Sequence, residues 1–213
     1  MVIFYIMGRS GCGKDTIKNL LLKQEDFKCS NLVEATTRPI RIGEDPDNKL
    51  FLSDEEFNKM KDENRFIESR SYKVDEQDKD YWNYATIYPD NPDYSEAIYV
   101  GTGTIESYIS LRNHYQKDGL DIVYPIFIDV SDYNLLYRSI VREMGAETKK
   151  FMEICRRFNS DVTDYSEQKI KQAGISKHCR FDNNKPLMEV FSRIRAYVIR
   201  NSKYERDLQK EKI

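Results

Sequence analysis

The chain has 213 residues, a length typical of one domain or of one domain with insertions. Its 34 Lys and Arg are balanced by 36 Asp and Glu, so a broad basic face for nucleic acid is not expected. No apolar run reaches the roughly 18 residues that span a bilayer. The four cysteines are scattered without metal-ligand spacing, which fits a reducing compartment. These features predict a cytoplasmic protein without nucleic-acid or membrane partners.

A strand and a helix open the chain. Val2 to Met7 is a short, continuous apolar run, as expected of a strand that is buried on both faces of a parallel sheet. A glycine-rich turn follows, and residues 16–24 place Ile17, Leu20 and Leu21 at helical spacing. The order of strand, glycine turn and helix predicts the start of an α/β fold.

The second half of the chain repeats this alternation. Buried strands are predicted over residues 97–100 and 122–130, although Pro125 disfavours a central position for the second of them. Ser131 is a predicted helix N-cap. Helices are predicted over residues 105–115, 132–143 and 185–210.

The segment 34–96 differs from its surroundings, because its apolar runs are short and it is rich in Asp, Tyr and Arg. It contains one clear helix start, where Ser53 is a predicted N-cap and Glu56 its capping-box partner. The segment is therefore predicted to be a small inserted domain. Residues 1–33 and 97–213 would then form the core.

A phosphate-binding loop is predicted over residues 8–14, which have the spacing G-x-x-x-x-G-K between a strand and a helix. Glycines let successive backbone N–H groups converge on phosphate oxygens, and the following helix adds its positive N-terminal end. The Lys14 side chain supplies a flexible charge to the terminal phosphates. The residues predicted to hold a nucleotide are Gly8, Ser10, Gly11, Cys12, Gly13, Lys14, Asp15 and Thr16.

Three of these residues allow alternatives. Asp15 stands where a Ser or Thr hydroxyl usually contacts Mg²⁺, so its carboxylate is one candidate metal ligand. In the alternative that we favour, Asp15 only complements the helix N-terminus and the Thr16 hydroxyl faces the metal. Cys12 either fits the loop as a small side chain or has a lowered thiol pKa that makes it oxidisable.

A second phosphate site is indicated by the segment Thr36-Thr37-Arg38-Pro39-Ile40-Arg41-Ile42-Gly43-Glu44. Arg38 and Arg41 carry two guanidinium forks three residues apart, and Pro39 stiffens the link between them. Together with the glycine loop, this motif predicts two phosphate sites on one chain.

These motifs resemble guanylate kinase, a family of the P-loop nucleoside monophosphate kinase group, of which the chain looks like a divergent member. The family's order and approximate spacing are found in the phosphate loop, the arginine motif, Phe66-Ile67-Glu68, Tyr84-Ala85-Thr86 and Arg138-x-x-x-Arg142. The resemblance implies a three-layer α/β P-loop kinase fold. Its parts would be a central parallel sheet, an inserted acceptor-binding domain and a helical lid at about residues 138–160. It also implies transfer of the γ-phosphoryl group of ATP, with Mg²⁺, to GMP.

The resemblance assigns substrate-binding roles on the acceptor side. Glu68 would accept hydrogen bonds from guanine N1–H and from the exocyclic amine, and Thr86 would donate to guanine O6. Tyr84 would hydrogen-bond the acceptor phosphate or stack on the base. Arg38 and Arg41 would clamp that phosphate.

The resemblance also assigns catalysis to cations that neutralise the transferring phosphoryl group. Three arginines would belong to a lid that closes over ATP. The predicted catalytic residues are Lys14, Arg38, Arg138, Arg142 and Arg157.

The chain departs from the family pattern in the acceptor region. Glu34 stands where the family usually has a serine that helps to read guanine, and a tyrosine expected near Lys49 or Leu50 is absent. The strand that runs into residues 101–104 lacks the family's terminal carboxylate. Asp129, at the end of the neighbouring strand, is one candidate substitute.

Two alternatives therefore stay open beside GMP phosphorylation. One is a P-loop kinase with a different acceptor, and the other is a noncatalytic guanylate-kinase-like binding module. The intact Gly8, Gly13 and Lys14 favour catalysis. The sequence makes no prediction of the oligomeric state.

Overall fold

The computed structural model describes residues 1–40, 46, 49–73, 81–89, 97–143 and 148–210. Within these residues, nine strands form two sheets. In chain order the strands are β1 (Val2–Met7), β2 (Cys29–Asn31), β3 (Glu34–Thr36), β4 (Leu50–Phe51), β5 (Phe66–Lys73), β6 (Tyr81–Ile87), β7 (Ile98–Gly103), β8 (Val123–Asp129) and β9 (Arg180–Asp182). The helices are α1 (Lys14–Leu22), α2 (Asp54–Asp62), α3 (Ile105–Lys117), α4 (Asp132–Arg142), α5 (Thr148–Asp164), α6 (Glu167–Gln172) and α7 (Leu187–Lys210), with a 3₁₀ turn at Lys177–Cys179.

The larger sheet is parallel and has the order β2-β7-β1-β8-β9. All six residues of β1 are buried, and they alternate between two hydrophobic clusters. Tyr5 shares one cluster with Leu111 of α3, whereas Phe4 shares the other with Ile17 of α1 and Ile194 of α7. The sheet therefore lies between two helical layers, which confirms the predicted α/β class and the fully buried first strand.

Two details of this core add to the sequence prediction. Helix α1 begins at Lys14, directly after the predicted loop and ahead of the apolar pattern at residues 16–24, and Gly13 caps it with a left-handed φ of 96°. Strand β8 has neighbours on both sides although it contains Pro125. In the described part of the chain β9 pairs only with Phe127 to Asp129, so one edge of β8 is unpaired at Pro125 and a residue without N–H is tolerated there.

The smaller sheet has the order β4-β3-β6-β5 and is antiparallel except for the β3–β4 pair. Its own core contains Ala35, Phe57 and Ala85. Helix α2 begins at Asp54 with the predicted capping box between Ser53 and Glu56. The chain leaves the large sheet after β2 and enters the small sheet at β3, while the domain boundaries at residues 34 and 96 stay a prediction.

The remaining predicted helices are confirmed with small shifts of their ends. Ser131 caps α4 by accepting from the N–H of Asn134. Helix α7 begins at Leu187, and Phe191, Ile194 and Val198 are buried on its inner face. Among the described residues, no helix combines the length and the apolar character that crossing a bilayer requires.

Candidate active site

The phosphate loop joins the central strand β1 to helix α1, at the carboxyl end of the parallel sheet. Gly8 has a φ of 149°, and a Cβ there would lie 2.6 Å from the carbonyl oxygen of Ile128. The Lys14 ammonium folds back over the loop and donates to the carbonyl oxygens of Gly8, at 2.7 Å, and Arg9, at 3.1 Å. The Lys14 side chain therefore lies against the backbone of the loop to which it belongs.

Cys12 is the buried member of the loop. Burial raises the pKa of its thiol, which outweighs the nearby positive charge of Lys14. The alternative of a lowered, reactive pKa is therefore wrong. The Cys12 carbonyl oxygen accepts a 2.8 Å hydrogen bond from the Nδ2 of Asn183, a buried side chain that follows β9. Sequence reasoning missed Asn183, because no local pattern links two residues that are 171 positions apart.

Loss of the Asn183 amide is expected to loosen the phosphate loop. Asn183→Ala leaves the buried Cys12 carbonyl without its partner, so the free energy of unfolding should fall by about 1–2 kcal/mol. The KM for ATP should rise several-fold. Asn183→Asp should be worse, since a carboxylate would face the carbonyl oxygen. Thermal unfolding and ATP titration measure both effects. An unchanged KM for ATP in both variants would show that Asn183 does not shape the loop.

A cleft of about 630 Å³ opens beside the phosphate loop and reaches the smaller sheet. Its volume is in the range of pockets that take small molecules and cofactors. The predicted site residues that line it are Gly8, Ser10, Gly11, Lys14, Asp15, Arg38, Tyr84, Arg142 and Arg157. Those that do not line it are Cys12, Gly13, Thr16, Glu68, Thr86 and Arg138. Arg41 lies outside the described residues.

The predicted lid arginines lie on two helices beside the loop. Arg142, at the end of α4, and Arg157, in α5, line the cleft. The Nε of Arg157 donates to the Glu153 carboxylate at 2.6 Å. Although burial opposes it, hydrogen bonds from Arg156 and Arg157 lower the pKa of Glu153. Two of the predicted arginines therefore reach the cleft.

Arg138 takes a different position from the other two arginines. Its Nη2 donates to the backbone carbonyl oxygen of Asn183 at 2.7 Å, and the residue does not line the cleft. Arg138 therefore contacts the segment that supports the phosphate loop, and its role in a lid stays a prediction.

A carboxylate that the sequence did not single out lies against the loop. Asp161 of α5 accepts a 2.6 Å hydrogen bond from the backbone N–H of Ser10. Burial raises the pKa of Asp161, although this hydrogen bond and the charge of Lys14 oppose the shift. Helix α5 is thereby tied directly to the nucleotide loop.

The two candidate metal ligands differ in position. Asp15 lines the cleft at the first turn of α1, whereas Thr16 is exposed and does not line it. The described residues contain no cluster of three or more His, Cys, Asp or Glu that would hold a metal by itself. Mg²⁺ at phosphates typically uses one or two carboxylates and completes its shell with phosphate oxygens and water. The single carboxylate of Asp15 fits that arrangement.

The acceptor side is built on a row of side chains across the small sheet. Glu34 of β3 pairs with Thr86 of β6, which pairs with Glu68 of β5. The Oγ1 of Thr86 donates to the Glu68 Oε1 at 2.6 Å. Lys49 precedes β4 and ion-pairs with Glu34. Register thus brings Glu34, Thr86 and Glu68 together, although they are separated in sequence.

Arg70, two residues beyond Glu68 on β5, completes this row. Its Nη1 donates to the Glu68 Oε1 at 2.6 Å, its Nη2 ion-pairs with Glu34, and its guanidinium lies 5.5 Å from the ring centre of Tyr84. Sequence reasoning missed Arg70, because an arginine on an exposed strand usually contacts only solvent.

Lys49, the other cation beside Glu34, is largely buried. Burial lowers the pKa of Lys49 to about 8, while the charge of Asp15 opposes the shift.

Arg38 lies beside this row. It is 3% exposed, its guanidinium is 5.6 Å from the ring centre of Phe51, and its Nη1 donates to the carbonyl oxygen of Pro39 at 2.6 Å. The predicted acceptor-phosphate residue is therefore at the cleft and fixed in place.

Gly103, the last residue of β7, leaves no room for a carboxylate at its own position. A Cβ on Gly103 would lie 2.1 Å from the Tyr5 hydroxyl, which donates to the Ser107 Oγ at 2.9 Å. A side chain has no room there. The candidate substitute, Asp129, accepts from the Nη2 of Arg180 at 2.6 Å and does not line the cleft.

A glycine loop between a central parallel strand and a helix, in one cleft with an arginine that follows a strand of a second small sheet, is the arrangement expected of a P-loop kinase. The family model "Guanylate kinase" matches residues 2–77. The guanylate kinase of Caldanaerobacter subterraneus subsp. tengcongensis is 28% identical over 206 residues, which cover 87% of this chain and 92% of that protein. The guanylate kinase of Syntrophomonas wolfei subsp. wolfei is 41% identical over 69 residues, 32% of this chain and 34% of that protein.

A solved structure agrees with these matches. The guanylate kinase from Anaplasma phagocytophilum has a TM-score of 0.63 and 17% identity, covering 94% of this chain and 86% of its own, and this likeness shows the fold. The chain is similar to these guanylate kinases in sequence and in fold, and this similarity confirms the resemblance predicted from its motifs.

Proposed function

We propose that the protein is a nucleoside monophosphate kinase that transfers the γ-phosphoryl group of ATP to GMP and releases ADP and GDP. The observation that carries this function is that Lys14 of the phosphate loop lines the same cleft as Arg38 and Tyr84 from the small-sheet side. The relatives named guanylate kinase, one of which matches over most of both chains, support GMP as the acceptor.

The donor nucleotide would bind at the phosphate loop. The loop amides and the N-terminus of α1 face its phosphates, and Lys14 exchanges its contacts with the Gly8 and Arg9 carbonyls for phosphate oxygens. Asp15 would hold Mg²⁺ on the cleft side, with Thr16 as the alternative ligand. The metal supplies charge neutralisation at the donor phosphates when it is bound.

The acceptor would bind against the small sheet. Arg38 and Arg41 clamp its phosphate, Tyr84 contacts the phosphate or the base, and Glu68, to which the Thr86 hydroxyl donates, reads the base edge. Arg142 and Arg157, together with Arg138, then neutralise the transferring group from the lid side. Such transfer needs positioning and charge neutralisation more than a strong base. Closure of the lid excludes water, which would otherwise hydrolyse ATP.

This proposal keeps the division of the chain that the sequence predicts. Residues 1–33 and 97–213 act as the nucleotide core, residues 34–96 as the acceptor domain and residues 138–160 as the lid. The four cysteines are free thiols, as is usual in the reducing environment of the cytoplasm. We place the protein there, in purine nucleotide metabolism.

A coupled assay of ADP release with Mg·ATP and a panel of nucleoside monophosphates tests the proposed function. Turnover should depend on the acceptor and be fastest with GMP, and Glu68→Gln should weaken that preference. ADP release that is independent of every acceptor would contradict the proposal. ATP binding without release would instead favour a binding module.

A further inference from the structure

The acceptor site contains a cation that is aligned by two carboxylates. The Nη1 of Arg70 donates to Glu68 at 2.6 Å, and the Nη2 ion-pairs with Glu34. The guanidinium also lies over the ring of Tyr84. Because three groups fix its plane, Arg70 has one orientation, which is the condition for directional hydrogen bonding to a ligand.

Arg70 is more accessible from the cleft than Glu68, with 13% of its side chain exposed against 7%. Arg70 lines the cleft, whereas the Glu68 side chain is only 7% exposed and is not part of the lining. Thr86 has already donated its hydroxyl hydrogen to Glu68, so it has no second hydrogen for a base carbonyl. A base that approaches Glu68 therefore meets the Arg70 guanidinium beside it.

Arg70 also retains donors for a ligand. A guanidinium carries five N–H groups, and the contacts with Glu68 and Glu34 use one hydrogen of Nη1 and one of Nη2. The second hydrogen of each of these nitrogens is the donor that a ligand in the cleft could meet, because Arg70 lines the cleft.

Two positions at which the sequence departs from the family pattern contact Arg70 or its partner, and the charges of this group cancel. Glu34 replaces the family's serine and ion-pairs with both Lys49 and Arg70. Lys49 is one of the two positions, 49 and 50, near which a tyrosine was expected. Two carboxylates, Glu34 and Glu68, thus face two cations, so the site gains a charged hydrogen-bond donor without a net charge.

We propose that Arg70 is a specificity-determining residue of the acceptor site and donates to O6 of a 6-oxopurine while Glu68 accepts from the adjacent N1–H. This inference rests on the proposed function, because it assumes a purine monophosphate at this sheet. A guanidinium beside a carboxylate matches the neighbouring acceptor and donor of guanine or hypoxanthine. Adenine would place its 6-amino donor against the guanidinium and its N1 acceptor against the carboxylate, so both contacts would be lost.

The variants Arg70→Ala and Arg70→Lys test the proposal. Lysine keeps a positive charge between the two carboxylates but lacks the planar fork, so the Arg70→Lys variant should fold. Alanine removes the charge between two buried carboxylates, which then repel each other, so the Arg70→Ala variant is the one that could fail to fold. The measurement is the ratio of kcat/KM for GMP to that for AMP, with IMP as a third acceptor. Binding of each nucleotide is followed separately by the fluorescence of Trp82, the chain's single tryptophan, which lines the cleft.

The matched control is Arg180→Ala. Arg180 also bridges two carboxylates, Asp129 and Glu167, and lies over an aromatic ring, but it does not line the cleft. Both Arg70 variants should lower the ratio of kcat/KM for GMP to that for AMP by about tenfold to a hundredfold. Most of this change should come from a lower kcat/KM and weaker binding for GMP and IMP. The Arg180 variant should lose stability and keep the ratio.

The outcomes separate this inference from the function on which it rests. A folded Arg70→Lys variant with the wild-type ratio, in turnover and in binding, would overturn the role of Arg70. A wild-type protein that binds GMP over AMP but transfers no phosphoryl group would overturn the proposed function, while the binding ratios would still decide the role of Arg70. A wild-type protein that binds GMP no better than AMP would overturn both.

Discussion

Lys14→Met is expected to lower kcat for GMP-dependent ADP release by roughly a hundredfold to a thousandfold. The Lys14 ammonium lies against the loop backbone and lines the cleft, whereas the other cation of the loop, Arg9, ion-pairs with Asp132 and does not line it. Phosphoryl transfer depends on such charges, because negative charge spreads over the equatorial oxygens in the transition state. Methionine keeps the length and the apolar stem of the side chain and removes only the charge.

The control for this prediction is Lys59→Met, which removes a lysine from the exposed face of α2. That variant should keep the wild-type kcat, and the melting temperature of both variants should show that they are folded. A folded Lys14→Met protein with undiminished kcat would mean that the loop does not bind the transferring phosphates.

Gly8→Ala is expected to give the largest loss of stability of any single methyl added to the loop. The φ of 149° at Gly8 is a conformation that residues with a Cβ rarely adopt. The added Cβ would also lie 2.6 Å from the Ile128 carbonyl oxygen and 2.7 Å from the Cys12 Sγ. Strain and overlap together should lower the free energy of unfolding by about 2–5 kcal/mol. The displaced loop should also lose ATP affinity.

Gly119→Ala separates the effect of backbone strain from the effect of steric overlap. Gly119 has a φ of 74°, but no heavy atom lies within 4 Å of a Cβ there. It should therefore show backbone strain alone, about 1–2 kcal/mol, with unchanged ATP binding. Chemical denaturation and ATP titration of both variants measure the difference. Equal losses at the two positions would contradict the argument from close approach.

Local patterns were sufficient for the parts of the fold that depend on local chemistry. The continuous apolar run of β1, the glycine spacing of the loop and the capping box at Ser53 were all predicted correctly. Each follows from side-chain period or backbone freedom over a few residues. Helix α1 begins directly after the loop as expected, with a left-handed glycine at position 13 as its cap in place of a side chain.

The acceptor site was harder to predict, because it depends on pairing between distant strands. Glu68 was singled out from a motif, but its burial beneath Arg70 and its bond with Thr86 follow from the register of β5 and β6. Asn183 supports the loop through a contact that no local spacing encodes. The Arg138 side chain turns toward the Asn183 carbonyl, whereas periodicity alone places it only on a helix face.

Transfer of labelled phosphate in a single turnover tests the central claim most directly. The enzyme in excess is mixed with Mg·ATP labelled in the γ-phosphoryl group and with GMP, and the products are separated. The account predicts that the label appears in GDP, that AMP as acceptor gives little labelled product, and that Lys14→Met blocks the transfer. Label that appears only in inorganic phosphate, or that stays in ATP while GMP is bound, would contradict the assignment of this cleft as a nucleoside monophosphate kinase site.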